Sequence, residues 1–261
     1  MRLSIDALLD YELDAPADLL FAVEVAQMAD QRLIEDRLTV SGVEPLVPIT
    51  GEEGIGRRTW TRGEGRFTAR YTALVDIERP VPDLAAMRAD DLRALPPLVV
   101  PYLFASRYCE ADRLHPMVCR EFDGLAGGAK VAAMMRWIGD HIDYVPGASD
   151  AATTAVDTLL SRRGVCRDFA HLLIAMARAA DIPARMVAGY AWNLEPPDFH
   201  ALVEVWLDGA WQLIDPSGLV STDAVARIGV GRDATDISFL TIFGTARLLD
   251  QRVCVARLTS P

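Results

Sequence analysis

The run from Cys166 to Ala180 most constrains the fold, because it is apolar nearly all round: Phe169, Ala170, Leu172, Leu173, Ile174, Ala175, Met176, Ala177, Ala179 and Ala180 leave no wide polar face. A helix of that pattern belongs inside a core rather than on a surface. Turn-forming Gly164 stands just ahead of it and places the Cys166 thiol at a helix N-terminus. Unpaired backbone N–H groups and the positive end of the helix dipole favour a thiolate there, and the thiolate is the nucleophilic form. Asp168 in the first turn suits the dipole and can cap it, and Arg167 adds positive charge beside the thiol. An isolated cysteine is more often a small buried hydrophobe. The functional reading therefore rests on residues further along the chain.

Composition narrows the possibilities. A chain of 261 residues with 51% hydrophobic content fills a real core without covalent staples. Its four cysteines, Cys109, Cys119, Cys166 and Cys254, are widely spaced, with no C-x-x-C pair and no histidine at zinc-finger spacing. A reduced, cytoplasmic setting is expected. The first ten residues contain Asp6 and Asp10 and no sustained apolar region, unlike a signal peptide. The most apolar stretch, Leu95 to Ala105, is short and broken by Pro96, Pro97 and Pro101, against about 20 residues for a membrane span. The formal net charge of −11 repels a phosphate backbone and disfavours nucleic acid as a partner.

Three regions follow from the punctuation. Residues 1–80 carry short β-type runs (Arg2 to Leu9, Arg37 to Val40, Arg66 to Ile77) separated by Gly, Pro and acidic residues, which predicts a small β-rich domain. Within it Phe67, Ala69, Tyr71, Ala73 and Val75 alternate with their neighbours at the period of a half-buried strand. Residues 81–125 read as a proline-stiffened linker with a helix at about Asp83 to Leu95. Residues 126–261 hold the remaining chemistry, beginning with a helix over Ala126 to Ile142 and a second from about Thr154 to Arg162. His141, near the end of the first, reads as a helix C-terminal residue.

After Pro183 a strand over Arg185 to Tyr190 is expected, and then two runs, His200 to Leu207 and Ala210 to Asp215, flank Asp208-Gly209. Asp-Gly between such runs predicts a two-residue type I′ hairpin. Leu207 then faces Ala210, Trp206 faces Trp211, and Val203 faces Ile214. That register makes His200 and Asp215 diagonal neighbours on one face, roughly 7–8 Å apart between backbones. A three-residue turn would send Asp215 to the opposite face. A carboxylate holding one imidazole nitrogen leaves the other free to deprotonate a thiol, the logic of nucleophile, base and orienter. His171 is excluded as the base, since five residues after Cys166 it points about 140° away around the helix.

Gly164-Val165-Cys166-Arg167-Asp168-Phe169-Ala170-His171, Asp198-Phe199-His200-Ala201 and Trp211-Gln212-Leu213-Ile214-Asp215-Pro216 together resemble the bacterial transglutaminase-like superfamily. The likeness extends to Asp143-Tyr144-Val145-Pro146-Gly147, Ser106-Arg107-Tyr108-Cys109 and Gly231-Arg232-Asp233-Ala234. It implies an α+β fold in which a papain-like core, with a Cys-bearing helix packed on an antiparallel sheet bearing His and Asp, is preceded by a small β-rich N-terminal domain. It also implies Cys166 as nucleophile, His200 as general base then acid, and Asp215 as orienter, in acyl transfer at amides through a thioester. The Cys166 backbone N–H would supply one oxyanion donor; a second is not evident, and Tyr108 and Tyr144 read as core tyrosines.

Hydrolysis of a peptide, protein or small amide substrate is the expected outcome. Transfer to an amine, giving protein-glutamine cross-linking, uses the same triad, and a non-catalytic binding or scaffold module on the same fold is the reading from another class. Animal transglutaminases are larger, multidomain and calcium-dependent, whereas this chain has no acidic loop at EF-hand spacing; Gly231 to Asp236 reads as a solvated turn. A metal site from Cys166, His200 and Asp215 would lack a fourth ligand, so neither metal nor cofactor is expected.

Overall fold

The computed structural model describes residues 1–258 and divides them between two large antiparallel sheets, a two-stranded parallel pair and a set of helices. The chain begins with strands β1 (Arg2–Leu13), β2 (Ala17–Glu24), β3 (Gln31–Val43), β4 (Val47–Thr50) and β5 (Arg57–Ile77). After the linker come α1 (Ala111–Glu121), α2 (Gly127–His141), β6 (Asp143–Tyr144), α3 (Ala155–Ser161), β7 (Arg163–Gly164) and α4 (Cys166–Ala179). Strands β8 (Ala184–Ala191), β9 (Phe199–Leu207), β10 (Ala210–Ile214) and β11 (Val225–Gly231) follow, then α5 (Ala234–Ile237), β12 (Leu240–Phe243) and β13 (Ala246–Leu258). No helix among the described residues is long and apolar enough to cross a membrane.

The first sheet runs β12-β2-β5-β1-β13, with β3 and β4 also paired to β5. The expected alternation on β5 is observed, with Phe67, Ala69, Tyr71, Ala73 and Val75 all buried. Its last strands correct the sequence reading: residues 240–258, grouped there with the catalytic part, pair with β2 and β1 of the first sheet. A second correction concerns Asp83 to Leu95. Two isolated 3-10 turns, Leu84–Ala86 and Leu92–Ala94, replace the expected helix. The proline-rich flanks leave no room for continuous backbone pairing, and the segment instead lies along α2 through the Gly128 N–H to Met87 O bond of 2.9 Å.

The second sheet runs β10-β9-β8-β11 and is antiparallel throughout. Val203, Val205 and Leu207 of β9 share one apolar cluster with α4, and α1, α2 and α3 surround that helix on its other sides. Residues Asp168 to Ala179 are all buried. The end of α4 ties down the loops around it, because the buried Arg178 guanidinium donates to the carbonyls of Ala184, Phe104 and Arg232 at 3.0, 3.0 and 2.6 Å.

The two sheets share a core. Tyr190 of β8 stacks on Tyr71 at 6.1 Å and donates its hydroxyl to Val23 O at 2.7 Å, alongside buried Ala226 and Ile228. Beside this contact lies a buried charge network. Glu204 accepts from Arg185 Nε at 2.7 Å and from Arg227, Arg185 continues to Glu53 at 2.8 Å, and Arg227 continues to Asp30. The Arg185 guanidinium also lies over Trp211, 4.1 Å from the ring centroid. Two guanidinium groups share the fully buried Glu204, so removing its charge takes a partner from each and leaves Arg185 to Glu53 alone and Arg227 to Asp30 alone. Glu204→Gln is expected to lower unfolding free energy by about 3–5 kcal/mol in urea titration, since breaking a buried ion pair leaves uncompensated charge; a loss below about 1 kcal/mol would place the network among weakly coupled surface pairs.

Candidate active site

The N-terminus of α4 is built by a reciprocal arrangement around Asp168. Val165 has no side-chain oxygen to cap the helix, and the Asp168 carboxylate compensates by accepting the Val165 N–H at 2.9 Å. The same carboxylate accepts from Ser149 Oγ and from the Arg167 guanidinium at 3.0 Å. Gly164 is needed for close approach, as a Cβ there would sit 2.7 Å from Asp168 Cβ. Parallel pairing of β6 with β7 brings Tyr144 level with Gly164 and so beside Cys166. Burial, reinforced by the adjacent Cys166, pushes the Tyr144 hydroxyl up to about 12.

The hairpin forms in the register read from Asp208-Gly209: Ala210 pairs Leu207, Trp211 pairs Trp206, and Ile214 pairs Val203. Positive φ angles of 49° and 73° at Asp208 and Gly209 match a type I′ turn. The two tryptophans meet edge to face at 5.3 Å. Asp215 and His200 consequently meet, with His200 Nε2 donating to Asp215 Oδ2 at 3.1 Å. Asp215 is held on its other sides by Ser217 N–H at 3.0 Å, Ser217 Oγ at 2.6 Å and Val220 N–H at 3.0 Å. Burial would raise this carboxyl, but His200, Ser217 and Val220 together hold it below the usual carboxylate range.

His200 Nδ1 is buried and has no hydrogen-bond partner among the described residues. It faces Cys166. Burial alone would lower the imidazole; its hydrogen bond to Asp215 and the neighbouring Cys166 outweigh that and raise it from 6.5 to about 9. Cys166 is half-buried, and all four cysteines are free thiols. Cys166 and His200 open into a cavity of about 430 Å³ whose walls include Arg167, Met186, Asp198, Phe199, Ile237 and Phe239.

His171 lies away from this cluster, as the helical phase requires. It is buried, stacks on Tyr108 at 5.0 Å and accepts the Ala234 N–H on Nε2 at 3.2 Å. Burial lowers it to about 4, so it is neutral and acts as a spacer behind the cavity. His141 stacks on Trp137 at 4.4 Å near the C-terminal end of α2. Asp233 is occupied by Tyr108 N–H and Thr235 N–H, and Asp236 by Arg232. Among the described residues no group of three or more His, Cys, Asp and Glu side chains is placed to hold a metal ion.

Sequence reasoning missed two contributors here. Ser217 was detectable, since Asp215-Pro216-Ser217-Gly218 has the composition of an Asx turn. Tyr144 stands in the Asp143 to Gly147 stretch and reads from sequence as a core tyrosine; it is exposed instead, and the two-residue parallel pairing that sets it beside Cys166 leaves no pattern in the chain.

Residues 117–216 match the transglutaminase-like superfamily. The crystal structure of a proposed cysteine protease from Cytophaga hutchinsonii superposes with a TM-score of 0.94 at 33% identity, covering 100% of this chain and 92% of that one. An uncharacterized protein of Mycobacterium tuberculosis is 34% identical over 79% of this chain and 75% of its own length. One of Mycobacterium leprae is also 34% identical, and there the match spans only 41% of this chain and 42% of that protein. This chain belongs to the transglutaminase-like superfamily, and the likeness to the Cytophaga protein supports cysteine-dependent catalysis.

The raised imidazole has a consequence for stability. A group whose pKa is higher in the folded state stabilises the fold fully below its ordinary value, here 6.5, and that contribution is lost as pH rises through about 9. Denaturation midpoints of the wild type should therefore fall across this window, and the fall should flatten in His200→Gln. An equal fall in both proteins would show that the imidazole is not raised.

Proposed function

We propose that this protein is a cysteine-dependent amide or peptide hydrolase with Cys166 as nucleophile, His200 as base and then acid, and Asp215 as orienter. The observation that carries this reading is the arrangement of His200, with Nε2 fixed on Asp215 and Nδ1 unpartnered toward the thiol at the start of α4. The sulfur gives its proton to Nδ1 and attacks the substrate carbonyl carbon, forming a C–S bond while the carbonyl electrons move to oxygen. The Cys166 backbone N–H is one donor for that oxyanion, being among the helix N–H groups with no partner along the helix. The Tyr144 hydroxyl is the second, set beside Cys166 by the pairing of β6 with β7.

Collapse of the intermediate breaks the C–N bond, and the Nδ1 proton leaves with the amine. Water then gives a proton to Nδ1 and attacks the thioester, releasing a carboxylic acid and restoring the thiol. The cavity rim is exposed, Asp198 included, so water reaches the thioester, which supports hydrolysis.

Cys166→Ala and His200→Ala should each abolish cleavage of peptide and amide substrates with circular dichroism unchanged; unfolding of either variant would make the residue structural. Asp215→Asn should lower kcat by about 10²–10⁴, by analogy with triads that lose the orienting carboxylate. An unchanged kcat would remove Asp215 from the mechanism. Tyr144→Phe should lower kcat by about 10²–10³ with little effect on KM, the cost of one oxyanion donor. Mass spectrometry of the product in the presence of added amine separates the free acid from an amide adduct.

A further inference from the structure

Asp198 stands two residues ahead of His200 and lines the same cavity as Cys166, yet the triad makes no use of it. Its Oδ1 is fixed by Phe199 N–H at 2.7 Å and by Gln251 Nε2 at 2.6 Å. Among the described residues its Oδ2 has no partner and no cation pairs with it. The carboxylate is thus oriented without being neutralised. The cavity's two cationic side chains are both committed elsewhere: Arg167 to Asp168, Ser149 Oγ and Asp150 O at 3.0, 3.1 and 2.8 Å, and the raised His200 imidazole to Asp215 at 3.1 Å. The uncompensated charge facing the cavity is negative.

The wall next to Asp198 is aromatic and rigid. Phe199 stacks on Phe239 at 4.5 Å with the rings 4° from parallel, and it also meets the Tyr190 ring at 5.3 Å. Aromatic surface beside a carboxylate suits an ammonium or guanidinium, which gains from the ring quadrupole and from the charge together.

We propose that the cavity selects substrates carrying a positively charged group near the scissile amide, with Asp198 as the carboxylate contact and the Phe199–Phe239 pair as the wall beside it. This deepens the hydrolase reading and rests on it. It also gives the first sheet a part in the site. Gln251 belongs to β13, which pairs with β1, so the strand that closes the N-terminal sheet holds the selecting carboxylate in place. A side-chain cation and a free α-ammonium share the chemistry that Asp198 recognises.

The test reads charge selection at the thiol before any substrate is known. In a Cys119→Ser, Cys254→Ser background, which removes the two exposed thiols, Cys166 is modified with a cationic (trimethylammonioethyl), a neutral (methyl) and an anionic (sulfonatoethyl) methanethiosulfonate. The cationic reagent should react at least about tenfold faster than the anionic one at low salt, the scale on which a charged cleft focuses ligands. In Asp198→Asn, which keeps an acceptor oxygen for Gln251, that ratio should fall toward one. A ratio identical in both proteins overturns the proposal while leaving the hydrolase reading intact. Failure of even the neutral reagent to modify Cys166 overturns both. Once cleavage is observed, kcat/KM for lysine-containing against norleucine-containing peptides, each with free and acetylated N-termini, distinguishes a side-chain cation from an α-ammonium. Equal values across all four would contradict the proposal.

Discussion

The site depends on the burial of α4. A helix covered on every side by β8, β9 and three other helices has one position available to it, and its first residue inherits that rigidity. The cost of the arrangement falls at its N-terminus, where Val165 offers no cap. Asp168 resolves this by turning back on the Val165 N–H, and its remaining capacity is filled by Ser149 and Arg167. The thiol is thereby held by a network behind it as well as by the helix itself.

The histidine and aspartate are positioned by a different principle. They sit on neighbouring strands, and whether they share a face depends on a turn of two residues rather than three. Asp208 and Gly209 adopt the left-handed conformations of a type I′ turn, and the Trp206–Trp211 pair reinforces the register. Beyond the hairpin, the buried Glu204 couples β8, β9 and β11 to Asp30 and Glu53 in the N-terminal part. His200 and Glu204 lie on one strand, so the charge network also restrains the strand that carries the imidazole.

Local rules made much of this legible from the sequence. The apolar run of α4, the Asp-Gly turn and the alternation along β5 are each decided by near neighbours, and each forms as read. Contacts between distant segments were not legible. The pairing of β13 with β1 joins the two ends of the chain, and nothing in Ala246 to Leu258 distinguishes a strand of the first sheet from one of the second. Tyr144 reaches Cys166 through a two-residue parallel pairing, and Asp198 meets Gln251 across more than fifty residues of chain. The segment Asp83 to Leu95 misled for the opposite reason: its composition is helical, but its flanking prolines leave only single turns.

The central claim is that His200 activates Cys166. Intact-mass labelling with limiting iodoacetamide between pH 5 and 9, with the modified cysteine mapped by peptide mass, addresses it directly when repeated on His200→Ala. The account predicts rapid labelling of Cys166 ahead of the other three cysteines at pH 6, lost in the variant. Labelling of Cys166 at the rate of an ordinary exposed thiol, unchanged by His200→Ala, would contradict it.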